Sequence, residues 1–447
     1  MATEELLLEI RALIAERKER GIHGLADRLG PSEWADLVPR LDTAEVAVLF
    51  QWLPEQELAE LLEELDPAAA AAILRPLSRD AAADLLEAMD PDDATDVIEE
   101  LPDAEAEQLL IQMEPADAAE IRELMAYPPD TAGGLMTPAF VAVSPDLRAD
   151  QAIAALRRVA EEAETLFYVY VLDEAEHLLG VLSLHNLVLT RPDALVRTLM
   201  VRDAIRVRAD ADQETAARLL IDYNLLAVPV VDAEDRLLGI ITQDDVADVL
   251  EEEATEDIER LGGSQPLDTP YRLAGFSLLL RRRIGWLLML FVAGLLTSQV
   301  LANYQDRLDR AEALTLFIPL IIGIGGNVGS QTVTTLVRAI GVGEVQLRDL
   351  GWVLAKEMSV GAAVGLIMAV AGFLRAGGPY GRDIGLVVAS TIVCVTLWSA
   401  TVAAILPLVL RRLGVDPAVV SAPLITTLVD ATGLFIYLTI AGLVLGL

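Results

Sequence analysis

The sequence predicts a multidomain membrane protein. An N-terminal all-α superhelical domain (1–130) is followed by an α/β part built from two copies of one unit (131–197 and 198–250). An acidic connecting helix (251–280) and a five-helix transmembrane domain (281–447) complete it. Three observations carry this prediction. The chain is 53% apolar yet 23% charged, a combination that suits neither a soluble domain nor a simple membrane protein. Charge is divided along it: through Leu280 there are 21 Lys and Arg against 60 Asp and Glu, and beyond it 12 against 9. Past Leu280 the apolar runs are long enough to cross a bilayer.

The formal net charge of −36 therefore belongs to the first part of the chain. Such a field excludes nucleic acid and anionic lipid as partners and gathers cations instead. Cys394 stands alone in an apolar run, so neither a disulfide framework nor a cysteine metal site is expected. The start, MATEELLLEIRALIAERKER, is an amphipathic helix without the basic start and apolar core of a signal peptide. The soluble part is expected in the cytoplasm.

Residues 41 to 125 contain an internal repeat. Leu41, Leu53, Leu65, Leu77, Met89, Leu101 and Met113 recur every 12 residues. Asp66-Pro67, Asp90-Pro91 and Glu114-Pro115 read as N-caps followed by first-turn prolines. Proline forbids one continuous rod, so the repeat predicts short helices stacked as a superhelix. Between the anchors the acids Glu55, Glu57, Glu60, Asp92, Asp93 and Asp96 read as a solvated outer face.

From Met136 to about Leu250 strands rich in Val and Leu alternate with helices. Phe167-Tyr-Val-Tyr-Val-Leu-Asp and Leu179-Gly-Val-Leu-Ser-Leu-His-Asn are echoed by Ala227-Val-Pro-Val-Val-Asp and Leu238-Gly-Ile-Ile-Thr-Gln-Asp-Asp. Each copy reads as two strands and then a helix opened by Ser or Thr. With Gly180, Ser183 and Asn186 in one copy and Gly239, Thr242 and Asp245 in the other, the pair resembles tandem cystathionine-β-synthase (CBS) domains. That resemblance implies an adenine nucleotide such as ATP, held by Ser183, Asn186, Thr242 and Asp245. The first copy departs from the pattern by offering His185-Asn186 where a basic-acid pair is expected.

The helix that follows runs Asp244-Asp-Val-Ala-Asp-Val-Leu-Glu-Glu-Glu-Ala-Thr-Glu-Asp-Ile-Glu to Gly262-Gly263. Asp245 and Asp248 lie three apart, and Glu252, Glu253, Glu256 and Asp257 crowd the next turns, where like charges repel. A divalent cation would relieve that repulsion. No EF-hand spacing is present, so a metal site would be assembled from separate elements.

Five spans are predicted, roughly 284–302, 313–338, 353–374, 384–410 and 418–446. Arg281, Arg282, Arg283, Arg338, Arg348, Lys356, Arg411 and Arg412 flank one side, and Arg307, Arg310, Arg375 and Arg382 the other. This bias places the N-terminal domains in the cytoplasm and the C-terminus outside, in a multi-pass cell (inner) membrane protein. The second span, Phe317-Ile-Pro-Leu-Ile-Ile-Gly-Ile-Gly-Gly-Asn-Val-Gly-Ser-Gln-Thr, joins Pro319 and four glycines to Asn327 and Gln331, a mixture suited to lining a wet cavity. Those glycines also suit a close packing face. The last span carries one ionisable residue, Asp430. A lone intramembrane carboxylate normally faces a water-filled path, so Asp430 is read as a cation site.

In this order the parts look like the MgtE family of magnesium channels. The motifs that carry the likeness are GLMTP at 134–138, EATEDIERLG at 253–262, GGNVGSQ at 325–331 and GVDPAVVSAPL with TLVDATGLFIY between 414 and 437. The resemblance implies a homodimer in the lipid bilayer with a central pore lined by the second and fifth spans, among them Gly326, Asn327, Thr426 and Gly433. Asp430 of each subunit would face hydrated Mg²⁺. It also implies closure by cytosolic Mg²⁺ on sensing carboxylates: Glu60, Asp92, Asp212, Glu214, Asp245, Asp248, Glu253, Glu256, Asp257 and Asp416. Asn224 stands where another acid is expected, and Ser330 and Ala422 where Asn is expected.

The rival reading is a Na⁺- or H⁺-coupled divalent cation transporter with Asp430 as a proton-linked carboxylate. Five spans do not divide into two equal inverted halves, which counts against it. A nucleotide-sensing receptor with a mere anchor has no use for a mid-span Asp. An enzyme is not expected: the only histidines are His23, His177 and His185, and there is no nucleophile elbow or P-loop.

Overall fold

The computed structural model describes residues 2–26, 28–159, 165–267, 269, 271–272 and 274–446. It forms two compact units, Met1–Glu253 with Thr269–Leu273, and Ala254–Asp268 with Ala274–Leu447.

The first unit opens with the helices Ala2–Ala15 (α1), Glu19–Ala26 (α2), Pro31–Leu37 (α3), Thr43–Trp52 (α4), Glu55–Glu63 (α5), Pro67–Leu74 (α6), Arg79–Glu87 (α7), Pro91–Glu99 (α8), Asp103–Gln112 (α9) and Pro115–Leu124 (α10). Five of the seven anchors of the repeat, Leu53, Leu65, Met89, Leu101 and Met113, are buried in one core with Leu62, Leu74, Leu86, Ile98 and Leu110, and Leu41 and Leu77 pack against it partly buried. Alternate helices stack, α5 on α7, α6 on α8, α7 on α9 and α8 on α10, so the structural unit is a helix pair spanning two sequence repeats. Asp66 caps α6 by accepting from the backbone N–H of Ala68 and Ala69 at 3.1 and 3.3 Å. Asp90 and Glu114 stand at the same position, but their side chains make no cap hydrogen bond. Their own N–H groups instead donate to Glu63 (2.9 Å) and Glu87 (2.5 Å) from the preceding pair. The acid-proline step thus starts α6, α8 and α10, while the repeating polar contact ties one pair to the next.

The α/β part contains two three-stranded sheets. The first holds Ala142–Val143 (β1), Tyr168–Leu172 (β2) and Leu178–Ser183 (β3), with Ala149–Val159 (α11) between β1 and β2 and Leu184–Leu189 (α12) and Val196–Leu199 (α13) after β3. The second holds Val207–Arg208 (β4), Ala227–Val231 (β5) and Leu237–Thr242 (β6), with Gln213–Tyr223 (α14) between β4 and β5. In each sheet the first pair is parallel and the second antiparallel, with matching registers. The signature glycines have a steric reason: a Cβ at Gly180 would meet the carbonyl oxygen of Val201 at 2.6 Å, and one at Gly239 that of Thr137 at 2.7 Å. Asn224, where an acid was expected, closes α14 in the left-handed region at φ 51°, a conformation Asn tolerates better than most residues.

The connecting helix Gln243–Leu261 (α15) begins inside the second copy and stops at the Gly262-Gly263 turn. It coincides with the run read from Asp244 to Gly262-Gly263, and residues from Phe276 already belong to the first spanning helix.

The second unit carries Phe276–Asn303 (α16), Gln305–Arg310 (α17), Ile318–Gly341 (α18), Leu350–Tyr380 (α19), Arg382–Arg412 (α20) and Ala422–Leu445 (α21). Among the described residues five helical segments in it are long and apolar enough to cross a membrane, Phe276–Asn303, Glu312–Gly341, Leu347–Tyr380, Arg382–Arg412 and Ala422–Leu445. Most extend the expected spans by several residues at one or both ends. Helix α18 packs on both α20 and α21, α19 on α20, and α16 on α21. The buried core includes Val333, Val337, Val387, Val395, Val429 and Leu434. Pro319 occupies the first turn of α18, where its missing N–H costs nothing. It therefore stands at the start of the helix, ahead of the glycines.

Candidate cation sites

In the second unit the glycines of α18 bring its backbone against two neighbours. A Cβ at Gly325 would lie 2.6 Å from a Val395 methyl, at Gly326 2.9 Å from the Thr426 methyl, and at Gly329 2.5 Å from an Ile425 methyl. The buried Ser399 hydroxyl donates to the Gly325 carbonyl at 2.6 Å. Ser330 Oγ and Thr426 Oγ1 lie 3.2 Å apart across α18 and α21, which gives Ser330 a contact that the sequence alone did not reveal. Asn327 and Gln331 lie four residues apart on α18 and are exposed, forming a polar stripe on an apolar span. Gly433 is buried, with Val395 methyls 3.4 and 3.6 Å from its notional Cβ.

Asp430 sits in the middle of α21, one turn beyond Thr426, and is half-buried. Its Oδ1 is enclosed and has no hydrogen-bond partner among the described residues. Thr427 and Thr432, its nearby hydroxyls, bond elsewhere: Thr427 donates to the Pro423 carbonyl at 2.9 Å and Thr432 to that of Leu428 at 2.9 Å. Thr432 also accepts from Trp398 Nε1 at 2.8 Å. A carboxylate left in this state in a span suits a hydrated cation better than a helix clamp.

The first unit holds a cluster of carboxylates. Glu63, Asp90 and Asp93 each offer an oxygen within 4.8 Å of the other two. Burial, then Glu63 and Asp245, push the Asp93 carboxyl well above its ordinary range. Burial, then Glu99 and Glu252, raise Asp96 to about 7. Burial also raises Asp245, although its Oδ2 accepts from the N–H and hydroxyl of Thr242, both at 2.8 Å. Asp248 and Glu252 are shifted up in the same way, first by burial and then by neighbouring acids. The acids of α8 are thus no solvated face. Asp92 is buried and Asp93 and Asp96 are half-buried, whereas Glu55, Glu57 and Glu60 are exposed as expected. The missed signal is that α8 and α15 each repeat acids at three- and four-residue spacing, so that two charged stripes can face one another.

The other expected ligands are distributed. Asp212 caps α14 by accepting from the Glu214 N–H at 2.9 Å, Glu214 is ion-paired with Arg218, and Glu253 accepts from Gln213 Nε2 at 3.1 Å. In the second unit Asp257 lies against Gly341 at the end of α18. Glu256 and Asp416 are both ion-paired with Arg260, a residue that sequence reasoning passed over. The nucleotide candidates open helices in the two copies: Ser183 accepts from the Asn186 N–H at 3.2 Å at the start of α12, while at α15 Asp245 bonds back to Thr242.

Comparison with known proteins agrees with this arrangement. Residues 318–440 match the MgtE divalent cation transporter family, residues 29–130 the MgtE intracellular N domain, and residues 132–191 and 196–252 the CBS domain. The magnesium transporter MgtE of Thermus thermophilus is 44% identical over 328 residues, spanning 73% of this chain and 72% of the relative. The Enterococcus faecalis magnesium transporter MgtE is 34% identical over 327 residues, spanning 72% and 71%. A solved cytosolic domain of the Mg²⁺ channel MgtE in complex with ATP aligns with a TM-score of 0.53 at 35% identity, covering 54% of this chain and 99% of that one. The chain belongs to the MgtE family of divalent cation transporters.

Proposed function

We propose that this multi-pass membrane protein is a Mg²⁺ channel, which admits the ion down an inside-negative potential and is closed by Mg²⁺ on its acidic domains. The observation that carries the reading is Asp430, half-buried in mid-span with an enclosed oxygen that has no hydrogen-bond partner among the described residues. The names of the relatives as magnesium transporters support the choice of ion. Mg²⁺ surrenders its waters reluctantly and is usually held through them by one or two carboxylates. Asp430 would meet a hydrated ion, with Gly326, Asn327, Thr426 and Gly433 near its path. The exposed Asn327 and Gln331 favour a second copy across a wet axis, since lipid offers such amides no partners. For a divalent ion the potential supplies about 4.6 kcal/mol per 100 mV.

Closure would use the carboxylate groups around Asp93 and Asp245, around Glu253, and at Glu256 and Asp416, with Glu60, Asp92, Asp212, Glu214, Asp248 and Asp257 contributing. Acids that burial holds partly protonated gain more from a bound divalent cation than isolated surface acids do, because one ion relieves several repulsions at once. Ion and closed state are thermodynamically linked, so the transported ion limits its own entry. An adenine nucleotide at Ser183, Asn186, Thr242 and Asp245 would bind in the same unit, which the ATP complex of the related cytosolic domain supports. The cytoplasmic placement of the N-terminal unit rests on the basic residues around the spans.

The test is Mg²⁺ flux into liposomes under an imposed potential, comparing wild type, Asp430→Ala and a truncation that begins near Tyr271. We expect passive flux that Asp430→Ala lowers roughly tenfold or more, the factor matching about 1.4 kcal/mol of lost ion stabilisation. Domain-side Mg²⁺ should inhibit wild type but not the truncation. Flux that requires a Na⁺ or H⁺ gradient would replace the channel with a coupled transporter.

A further inference from the structure

The end of α15 is fixed by a turn with little freedom. Gly263 has φ +78°, and a Cβ there would meet Trp286 Nε1 of α16 at 2.9 Å and Pro423 of α21 at 3.2 Å. The Gln265 N–H donates to the Arg282 carbonyl at 3.0 Å, and that of Leu267 to Glu259 Oε2 at 2.8 Å. This places Arg260, on the last turn of α15, beside the loop that leads into α21. Its Nη2 pairs with Glu256 Oε1 one turn earlier and its Nη1 with Asp416 Oδ2. The second Asp416 oxygen accepts from the Ala418 N–H at 2.8 Å. Glu256, Arg260 and Asp416 are only 30%, 33% and 33% exposed at their side chains. Nearby Arg411 is engaged elsewhere, donating to the carbonyls of Ile340 and Val345 at 3.1 and 3.4 Å.

We propose that the Arg260 guanidinium is a tethered competitor of the regulatory divalent cation, occupying the Glu256–Asp416 pair until that ion displaces it. The inference rests on the reading of Glu256 and Asp416 as sensing carboxylates. A guanidinium bridging the two shows that they already converge on one cation. A divalent ion between the same oxygens would stand within a few ångströms of the guanidinium charge, where repulsion is strong in a partly desolvated site. The two occupants therefore exclude one another. The ion binds only the fraction of molecules in which Arg260 has swung away, so its apparent dissociation constant rises by the inverse of that fraction. Arg260 thereby sets the cation level at which α15 and the α21 loop become joined by a metal instead of by a single side chain.

Binding, measured apart from transport, tests this. Mn²⁺ would be titrated by electron paramagnetic resonance into the full-length protein in nanodiscs, comparing wild type with Arg260→Gln, Arg260→Lys and Arg260→Gln combined with Asp416→Asn. Arg260→Gln should tighten one Mn²⁺ site about fivefold, the factor that matches the upper end of what a partly exposed ion pair is worth. Arg260→Lys, which keeps the charge, should stay near wild type, and adding Asp416→Asn should abolish the gained affinity. Unchanged or weaker Mn²⁺ binding in Arg260→Gln would overturn the proposal, as would equal tightening by Gln and Lys. Because no flux is read, the result is independent of whether the protein conducts Mg²⁺ as a channel.

Discussion

Asp96 shows how burial changes the chemistry of an acid on a helix surface. Its carboxyl, ordinarily near 3.8, is lifted to about 7 by burial and then by Glu99 and Glu252, and Asp93 and Asp245 are lifted for the same first reason. A carboxyl whose folded value is raised holds its proton more tightly in the folded state. Its contribution is complete below the unfolded value and is lost as pH rises through the folded one. In chelator, the melting temperature of the full-length protein should therefore fall as pH rises from about 4 to about 9, with Asp93, the carboxyl lifted furthest, setting the upper end. Millimolar Mg²⁺ should flatten that slope, because the ion replaces the protons. A melting temperature that climbs over this range, with or without Mg²⁺, would contradict the cluster. The sequence made Asp430 legible because one ionisable residue stands out in an apolar run. It hid Asp93 and Asp96 because an acid on a helix surface looks the same whether water or another acidic helix lies opposite.

Helix α18 shows the same contrast at the scale of an element. Its glycines were legible as a close-packing stripe, and the structure gives Gly325, Gly326 and Gly329 each a specific neighbour. The role of Pro319 was not, because proline breaks a helix only after the first turn, and the helix start was not fixed by any strong cap. Gly329 is the tightest point, facing an Ile425 methyl at 2.5 Å and the Ser399 hydroxyl at 2.6 Å from its notional Cβ. Ser399 also holds the Gly325 carbonyl, so it cannot yield without freeing a buried acceptor. Gly329→Ala should thus destabilise the spanning unit by about 1–3 kcal/mol, the usual cost of overpacking. Gly323→Ala, with open space around its notional Cβ, should be neutral. Thermal melting in detergent, read on the two variants side by side, checks the difference; equal melting temperatures would sink it. A second element-scale contact joins α18 to α19, where the buried Thr332 hydroxyl donates to Glu357 at 3.2 Å. Glu357→Leu should lower stability by about 1–3 kcal/mol by stranding that hydroxyl, and Glu357→Gln, which still accepts, should restore most of it.

Across the whole molecule the division of charge was the clearest sequence signal, and it leads to a prediction that no single site makes. With 60 acids against 21 bases before Leu280, the first part repels itself at every separation inside the Debye length, about 8 Å at physiological ionic strength. Monovalent salt shortens that length but binds no pair of carboxylates. A divalent ion both screens and bridges, so at equal ionic strength Mg²⁺ should protect what Na⁺ does not. The readout is cleavage by a glutamate-specific protease within α15, whose Glu251, Glu252, Glu253, Glu256 and Glu259 lie on the path from the acidic domains to the spans. Millimolar Mg²⁺ should slow cutting there by roughly tenfold or more if ion binding shifts the local opening equilibrium by about 1.4 kcal/mol, while NaCl matched in ionic strength leaves it fast. Equal protection by both salts would mean that screening alone closes the acidic part, and the specific carboxylate groups would lose their role as sensors. Protection by Mg²⁺ that survives Asp93→Asn with Asp245→Asn would move the sensing to Glu253, Glu256 and Asp416, nearer the spans.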